Sequence, residues 1–155
     1  MKSIQLEPIG RVVSPVKHDR DDSWGSVLAE VHLDETRFEA EALAGIEEFS
    51  HVEILFEFDQ LTEAEIESKS RHPRENPRWP KLGIFAQRGR KRPNRLGATI
   101  CELVSVSGLA IRVRGLDAFD GSPVLDIKPV MVEFLPDKRS VRQPPWSREL
   151  MSTYF

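Results

Sequence analysis

From His51 to Phe58 the chain alternates, with Val52, Ile54, Phe56 and Phe58 on one side and His51, Glu53 and Glu57 on the other. A period of two over such a run predicts a half-buried strand. The rhythm recurs in residues 27–33, where Val27, Ala29, Val31 and Leu33 share a face opposite Leu28, Glu30 and His32. Residues 98–106 and 109–114 predict two strands joined by a tight turn at Ser107-Gly108. Residues 124–128 predict a short buried strand closed by Pro129, and the apolar run 82–87 another. Residues 4–13 predict a first strand, with a bulge or edge position at Pro8-Ile9-Gly10 and an end at Ser14-Pro15.

Helical signals are few. Residues 34–43 fit a short helical turn stopped by Gly45, and residues 61–70 a short acidic helix or a loop. Pro73, Pro77 and Pro80 exclude regular structure through their segment. Beyond Pro144-Pro145, Ser147 is placed to cap a short closing helix. The expected fold is mainly β: a small closed or nearly closed barrel with short peripheral helices, one domain over residues 1–155. Closing the sheet on itself would remove its exposed edges.

Composition narrows the class. A chain of 155 residues that is 39% hydrophobic and 30% charged suits one globular core. No apolar run is long enough to span a bilayer, and the start, MKSIQLEPIG, has no apolar signal core. Cys101 stands alone, which excludes an intrachain disulfide and agrees with a reducing cytoplasm. Neither Cys101 nor His18, His32, His51 and His72 has metal-site spacing, so no metal is expected.

Charge is distributed unevenly. The net charge is −3, yet residues 69–95 hold ten Lys or Arg against Glu75 alone, +9 locally, leaving −12 for the remainder. Such asymmetry fits a polyanion-facing patch on an otherwise acidic protein. Within it, Arg88-Gly89-Arg90-Lys91-Arg92-Pro93-Asn94-Arg95 puts five like charges in eight positions, which repel unless an anion or solvent compensates. A solvated loop is the plain alternative. Flanking apolar runs and the stiff Pro93 and bendable Gly97 favour a positioned loop.

FAQRGRKRPNRLG followed by GLDAFDGSPVLDIKP resembles the TsaA-like (TrmO-like) family of S-adenosylmethionine-dependent methyltransferases. With PIGRVVSPV and GIEEFSHVEILFEFDQ the resemblance covers most of the chain. It implies a β-barrel homodimer that uses S-adenosylmethionine to methylate N6 of threonylcarbamoyl-adenosine beside a tRNA anticodon. It also implies residue roles. Asp120, Gly121, Ser122 and Pro123 would line the cofactor pocket, although spacing alone reads Asp120-Gly121 as a plain turn. Arg88 would meet the cofactor, where its guanidinium fork suits a carboxylate or stacks on a ring. Asn94, Leu96 and Gly97 match a family PN-x-(I/L)-G turn, with plain core the alternative for Leu96.

Asp59-Gln60 matches a family pair whose first member is usually His, so Asp59 departs from the pattern while Gln60 keeps it. Where tRNA-acting members often carry Pro-Arg-Gln, this chain has Asp22-Ser23-Trp24-Gly25. Trp24 is thus a candidate to stack on an adenine or base, or to plug the barrel end. Arg90, Lys91, Arg92 and Arg95 are the candidates for phosphate contacts.

The residues set limits of their own. No GxGxxG is present, which argues against a doubly wound nucleotide fold. Methyl transfer from a sulfonium is an in-line displacement that needs orientation and a dry pocket rather than a strong base, and no catalytic triad is evident. The catalytic residue is unassigned. Asp126, read as buried on its strand, needs a partner, either Lys128 on the same face or an Arg from the basic loop. Two further functions stay open: the same cofactor with another RNA or small-molecule acceptor, and a non-catalytic barrel that binds RNA or an anion.

Overall fold

The structure is a computed structural model, and it describes residues 2–155. The strands are β1 (Gly10–Val13), β2 (Leu28–Leu33), β3 (His51–Glu57), the short pair β4 (Ser70–Arg71) and β5 (Leu82–Gly83), β6 (Leu96–Ser107), β7 (Ala110–Arg114) and β8 (Pro123–Pro129). Six of them close a barrel in the order β1-β2-β7-β6-β3-β8, every neighbour antiparallel, with β1 and β8 forming the seam. The alternating apolar positions point inward. Val12, Ala29, Val31, Val52, Ile54, Phe56, Cys101, Ile111, Val113 and Val124 fill the interior. So small a barrel has room for side chains but no channel. Each fully buried aliphatic contributes about 1.5–3 kcal/mol. Across β3 and β6, Phe56 faces Gly97, where any Cβ would collide with its ring.

The local expectations hold for β2, β3, β7, β8 and the hairpin, whose Gly108 takes φ +57°. Residues 34–43 contain the expected helical turn, a 3-10 turn at Ala40–Leu43, and residues 61–70 another at Glu63–Glu65. Three expectations need correction. The first strand begins only at Gly10, because Pro8 has no N–H to give a ladder and the residues before it stay exposed. Residues 82–87 are not one strand: pairing ends at Gly83, and Ile84–Ala86 is a 3-10 turn that buries Ile84 and exposes Phe85. The buried Gln87 amide folds back instead, donating to the carbonyls of Arg71 (3.0 Å) and Leu82 (2.9 Å). The closing helix α1 (Pro145–Met151) is capped by Pro144; Ser147 lies inside its first turn.

Alternating strand direction decides where the connections go. Residues 14–27, 58–95 and 115–122 gather at one end, and residues 34–50 and 108–109 at the other. A second apolar cluster, Val16, Trp24 and Val27 with Phe119 and Tyr154 against it, roofs the long-loop end.

Candidate functional site at the long-loop end

Every residue singled out for cofactor or phosphate contact falls at this end. Trp24 lies in the first connection. Asp59, Gln60, Arg88, Arg90, Lys91, Arg92, Asn94 and Arg95 lie in the second, and Asp120, Gly121 and Ser122 in the third. Leu96 and Pro123 open β6 and β8 at the same level. All five non-glycine residues with positive φ among those described, Asp19, Ser23, Arg74, Glu75 and Arg95, also sit in these connections. Strained backbone of that kind persists where surrounding structure holds it, often around a site.

The first and third connections are stitched together. Asp120 Oδ1 accepts from the Ser14 N–H at 3.0 Å, and the Asp120 N–H donates to the Val16 carbonyl at 2.8 Å. Gly121, at φ +85°, donates its N–H to the Val12 carbonyl at 2.9 Å. The second connection joins them: the Ser122 hydroxyl, 2% exposed, donates to Asp59 Oδ1 at 3.2 Å, and Gln60 Nε2 donates to the Lys17 carbonyl at 2.9 Å. Asp59 and Gln60 themselves remain exposed. Beside them residues 15–20 line an open depression of about 450 Å³. The sequence pattern marks residues 14–20 only as a strand stop and a polar loop. Their contribution is mostly backbone carbonyls and N–H groups, which leave no residue-type signal.

The roof is aromatic and cationic. Trp24 is 2% exposed and packs at 5.9 Å, tilted, on Phe119, which places it in the barrel-plugging arrangement. Arg20 lies 5.5 Å from the Trp24 ring centre, and Arg90 5.9 Å from that of Phe119. Beneath lies Asp117, which accepts hydrogen bonds from the Thr99 hydroxyl on one oxygen and the Tyr154 hydroxyl on the other. Burial, then the charge of Asp117, pushes the Tyr154 phenol far above its ordinary value, so it stays protonated and donates to that carboxylate. Arg88 donates to the Ala98 carbonyl at 2.5 Å, and its charge is felt at Tyr154. Asp117 lies within the GLDAFDGSPVLDIKP stretch, of which only residues 120–123 carry an expected role, and no sequence pattern points to Tyr154.

The basic connection divides into engaged and unengaged charges. Arg95 pairs with Glu57 (2.9 Å) and Glu63 (3.7 Å) and donates to the Leu61 carbonyl (3.0 Å). Lys91 and Arg71 both meet Glu75 at 3.1 Å. Arg74 grips Asp22 through two nitrogens (2.7 and 3.0 Å), and this guanidinium holds the Asp22 carboxyl below its usual range. Arg90 and Arg92 have no carboxylate partner among the described residues; Arg92 donates to the Gln87 carbonyl at 3.2 Å. Asn94 is exposed in the turn closed by the Arg95 N–H to Arg92 carbonyl bond (2.9 Å).

Asp126 does pair with Lys128 (2.5 Å), but its side chain is 44% exposed, so the expectation of a buried carboxylate is corrected. The bulge at Leu55/Phe56 turns it outward on β8. Among the described residues no cluster of His, Cys, Asp or Glu could hold a metal ion, and no helix is long and apolar enough to cross a membrane.

Comparison with known proteins agrees with the barrel fold. The family model for the tRNA-methyltransferase O N-terminal domain matches residues 20–134. The tRNA (adenine(37)-N6)-methyltransferase of Escherichia coli is 36% identical over 148 residues, covering 88% of this chain and 63% of that protein. A probable S-adenosyl-L-methionine-binding protein of Methanothermobacter thermautotrophicus is 36% identical over 130 residues, covering 81% of this chain and 89% of that one. A crystal structure of TrmO from Pseudomonas aeruginosa superposes with a TM-score of 0.74 at 26% identity, covering 94% of this chain and 62% of that one. This chain therefore spans about three-fifths of the E. coli and P. aeruginosa proteins. It belongs to the family of the tRNA-methyltransferase O N-terminal domain.

Proposed function

We propose that residues 1–155 form a methyltransferase domain that binds S-adenosylmethionine at the long-loop end and methylates N6 of an adenosine in tRNA, the threonylcarbamoyl-adenosine beside the anticodon. The observation that carries this reading is the convergence of Asp59, Gln60, Arg88 and residues 120–123 at one end of the barrel, locked by the Ser122–Asp59 and Gln60–Lys17 bonds.

The donor set suits the cofactor. Asp59 keeps Oδ2 without a hydrogen-bond partner among the described residues, ready to accept from a ribose hydroxyl or an amino group, and a carboxylate near a sulfonium also stabilises its charge. Residues 120–123 bring backbone groups able to read an adenine edge. Arg88 offers a fork for a carboxylate. When bound, S-adenosylmethionine supplies a methyl carbon made electrophilic by positive sulfur. The residues of this chain orient that carbon toward the acceptor, and the Trp24, Phe119 and Tyr154 roof keeps water off one side. Arg90 and Arg92, lacking acidic partners, are the cations best placed to hold phosphates. Leu96, Ile100 and Val104 along β6, with Val132 and Phe134 beyond β8, leave exposed apolar surface that a second copy would cover in a homodimer. A cytoplasmic location follows from the tRNA substrate.

Calorimetric titration with S-adenosylhomocysteine tests the cofactor, and transfer of labelled methyl to tRNA from a strain lacking this protein tests the reaction. No binding heat refutes the first. Binding without incorporation into tRNA favours another acceptor, and RNA binding with neither leaves a non-catalytic barrel. Sedimentation of the purified chain as a monomer at micromolar concentration refutes the dimer.

A further inference from the structure

Most of the site is built by connections that strand direction forces to one end. Tyr154 arrives differently. Strand β8 finishes at the opposite end, and residues 130–144 run back to the long-loop end before α1 begins. There Trp79 Nε1 ties α1 down through Glu149 (3.0 Å). The residues after it lie along the first connection: the Ser23 N–H donates to the Thr153 carbonyl at 2.8 Å, and the Trp24 N–H to the Tyr154 carbonyl at 2.7 Å. The approach is close enough that a Cβ on Gly25 would come within 2.7 Å of the Phe155 backbone. Residues 135–155, which hold α1 and Tyr154, lie outside the stretch that matches the family model.

What the return accomplishes is the placement of one hydroxyl. Asp117 lies in the third connection, three residues before Asp120. One of its oxygens is fixed by Thr99 on β6, and the other by Tyr154. A carboxylate held by O–H donors from two sides cannot swing, and neither can the loop that carries it. We infer that Tyr154 is a positioning residue for the cofactor site, acting through Asp117 to hold residues 117–122 in the conformation that grips S-adenosylmethionine. This rests on the cofactor reading above. Tyr154 reaches the site through Asp117. Its work is to fix the loop, while its ring packs on the cluster of Val16, Trp24 and Val27.

Tyr154→Phe removes the hydroxyl and keeps the ring packing, so the barrel and its roof stay. One bond to a charged group goes, and the loop gains freedom that binding must then remove. The expected result, by titration of the full chain with S-adenosylhomocysteine, is a Kd raised about tenfold or more at unchanged stoichiometry. Amide exchange at residues 117–122 should also quicken without ligand. A purely structural role would instead lower the stoichiometry, as misfolded protein drops out, and leave Kd alone. Asp117→Asn, which removes the charge that both hydroxyls bind and leaves a single side-chain acceptor, is the second variant and should weaken binding likewise. An unchanged Kd in the variants overturns the inference. So does tighter binding after removal of residues 152–155, which would make the segment a plug. Absence of binding by the unaltered chain is distinct: it removes the cofactor reading itself, and this inference with it.

Discussion

Replacing Arg90 and Arg92 together by alanine separates a phosphate-holding arm from a merely charged loop. These two cations have no carboxylate partner among the described residues, whereas Lys91 and Arg95 are tied to Glu75 and to Glu57. If each unengaged guanidinium neutralises one phosphate, the slope of log K against log salt falls by about 0.7 for each phosphate set free, about 1.4 for the pair. At roughly 0.1 M salt that is about 25-fold in affinity, and the difference vanishes as salt approaches about 1 M. The matched control is Lys91→Ala with Arg95→Ala, which removes the same formal charge. Those side chains already meet carboxylates, so the salt slope should barely move. Stability should fall instead, because Arg95 sits 27% exposed between Glu57 and the Leu61 carbonyl and leaves a half-buried carboxylate behind, at a cost of about 1–3 kcal/mol. Fluorescence anisotropy with labelled tRNA across a salt series reads the first effect, and thermal melting the second. Equal slopes for the unaltered chain and the Arg90/Arg92 variant would refute the phosphate role. So would a slope change carried by Lys91 and Arg95.

Three further outcomes follow from the structure. Gly97→Ala forces a methyl into the Phe56 ring at the core layer beneath the site and should cost about 1–3 kcal/mol in chemical denaturation; a neutral result would mean the ring moves freely. The Asp22 carboxyl is held by Arg74 below its ordinary value of 3.8, so the pair's stabilisation is complete above that pH and is lost as pH falls through the lower folded value. Asp22→Asn should therefore lower the melting temperature near neutrality, with the gap to the unaltered chain closing in acid, and a pH-independent gap would contradict the linkage. Cys101 is buried, and desolvation pushes its thiol up to about 12, so it should resist thiol reagents in the folded chain and react at once in denaturant. Rapid labelling without denaturant would contradict that burial.

The parts of this fold legible in the sequence are those where one residue's side chain declares one environment. The strict alternation of β3 could bury only one face, and Ser107-Gly108 could hardly be anything but a turn. Residues 82–87 mislead because an apolar run is equally what a tight turn shows when it buries a single residue; Ile84 is anchored, while Phe85 faces solvent. Ser147 has the chemistry of a cap, but Pro144 already supplies the non-helical residue from which α1 starts. In the site, the cofactor-facing residues are legible only through family resemblance. Asp117 and residues 14–16 lie within the resembling stretches without a role assigned to them, and Tyr154 and residues 17–20 are not marked at all, since the contacts of these residues join positions as much as 106 apart or run through the backbone. Nothing in local pattern encodes such a meeting; it is created by strand order.

The seam has a consequence for how this protein can change. Strands β1 and β8 pair directly only at Gly10 with Val124 and Arg11 with Pro123, and the bonds from Asp120, Gly121 and Val12 extend the join into the third connection. The cylinder is thus fastened shut by the same few residues proposed to grasp its ligand, so errors there would damage shape and grip at once and be purged twice over. The long second connection carries no such double duty at Arg90 and Arg92. Variation can accumulate on that arm, retuning which nucleic acid is caught while the clasp beneath it stays fixed.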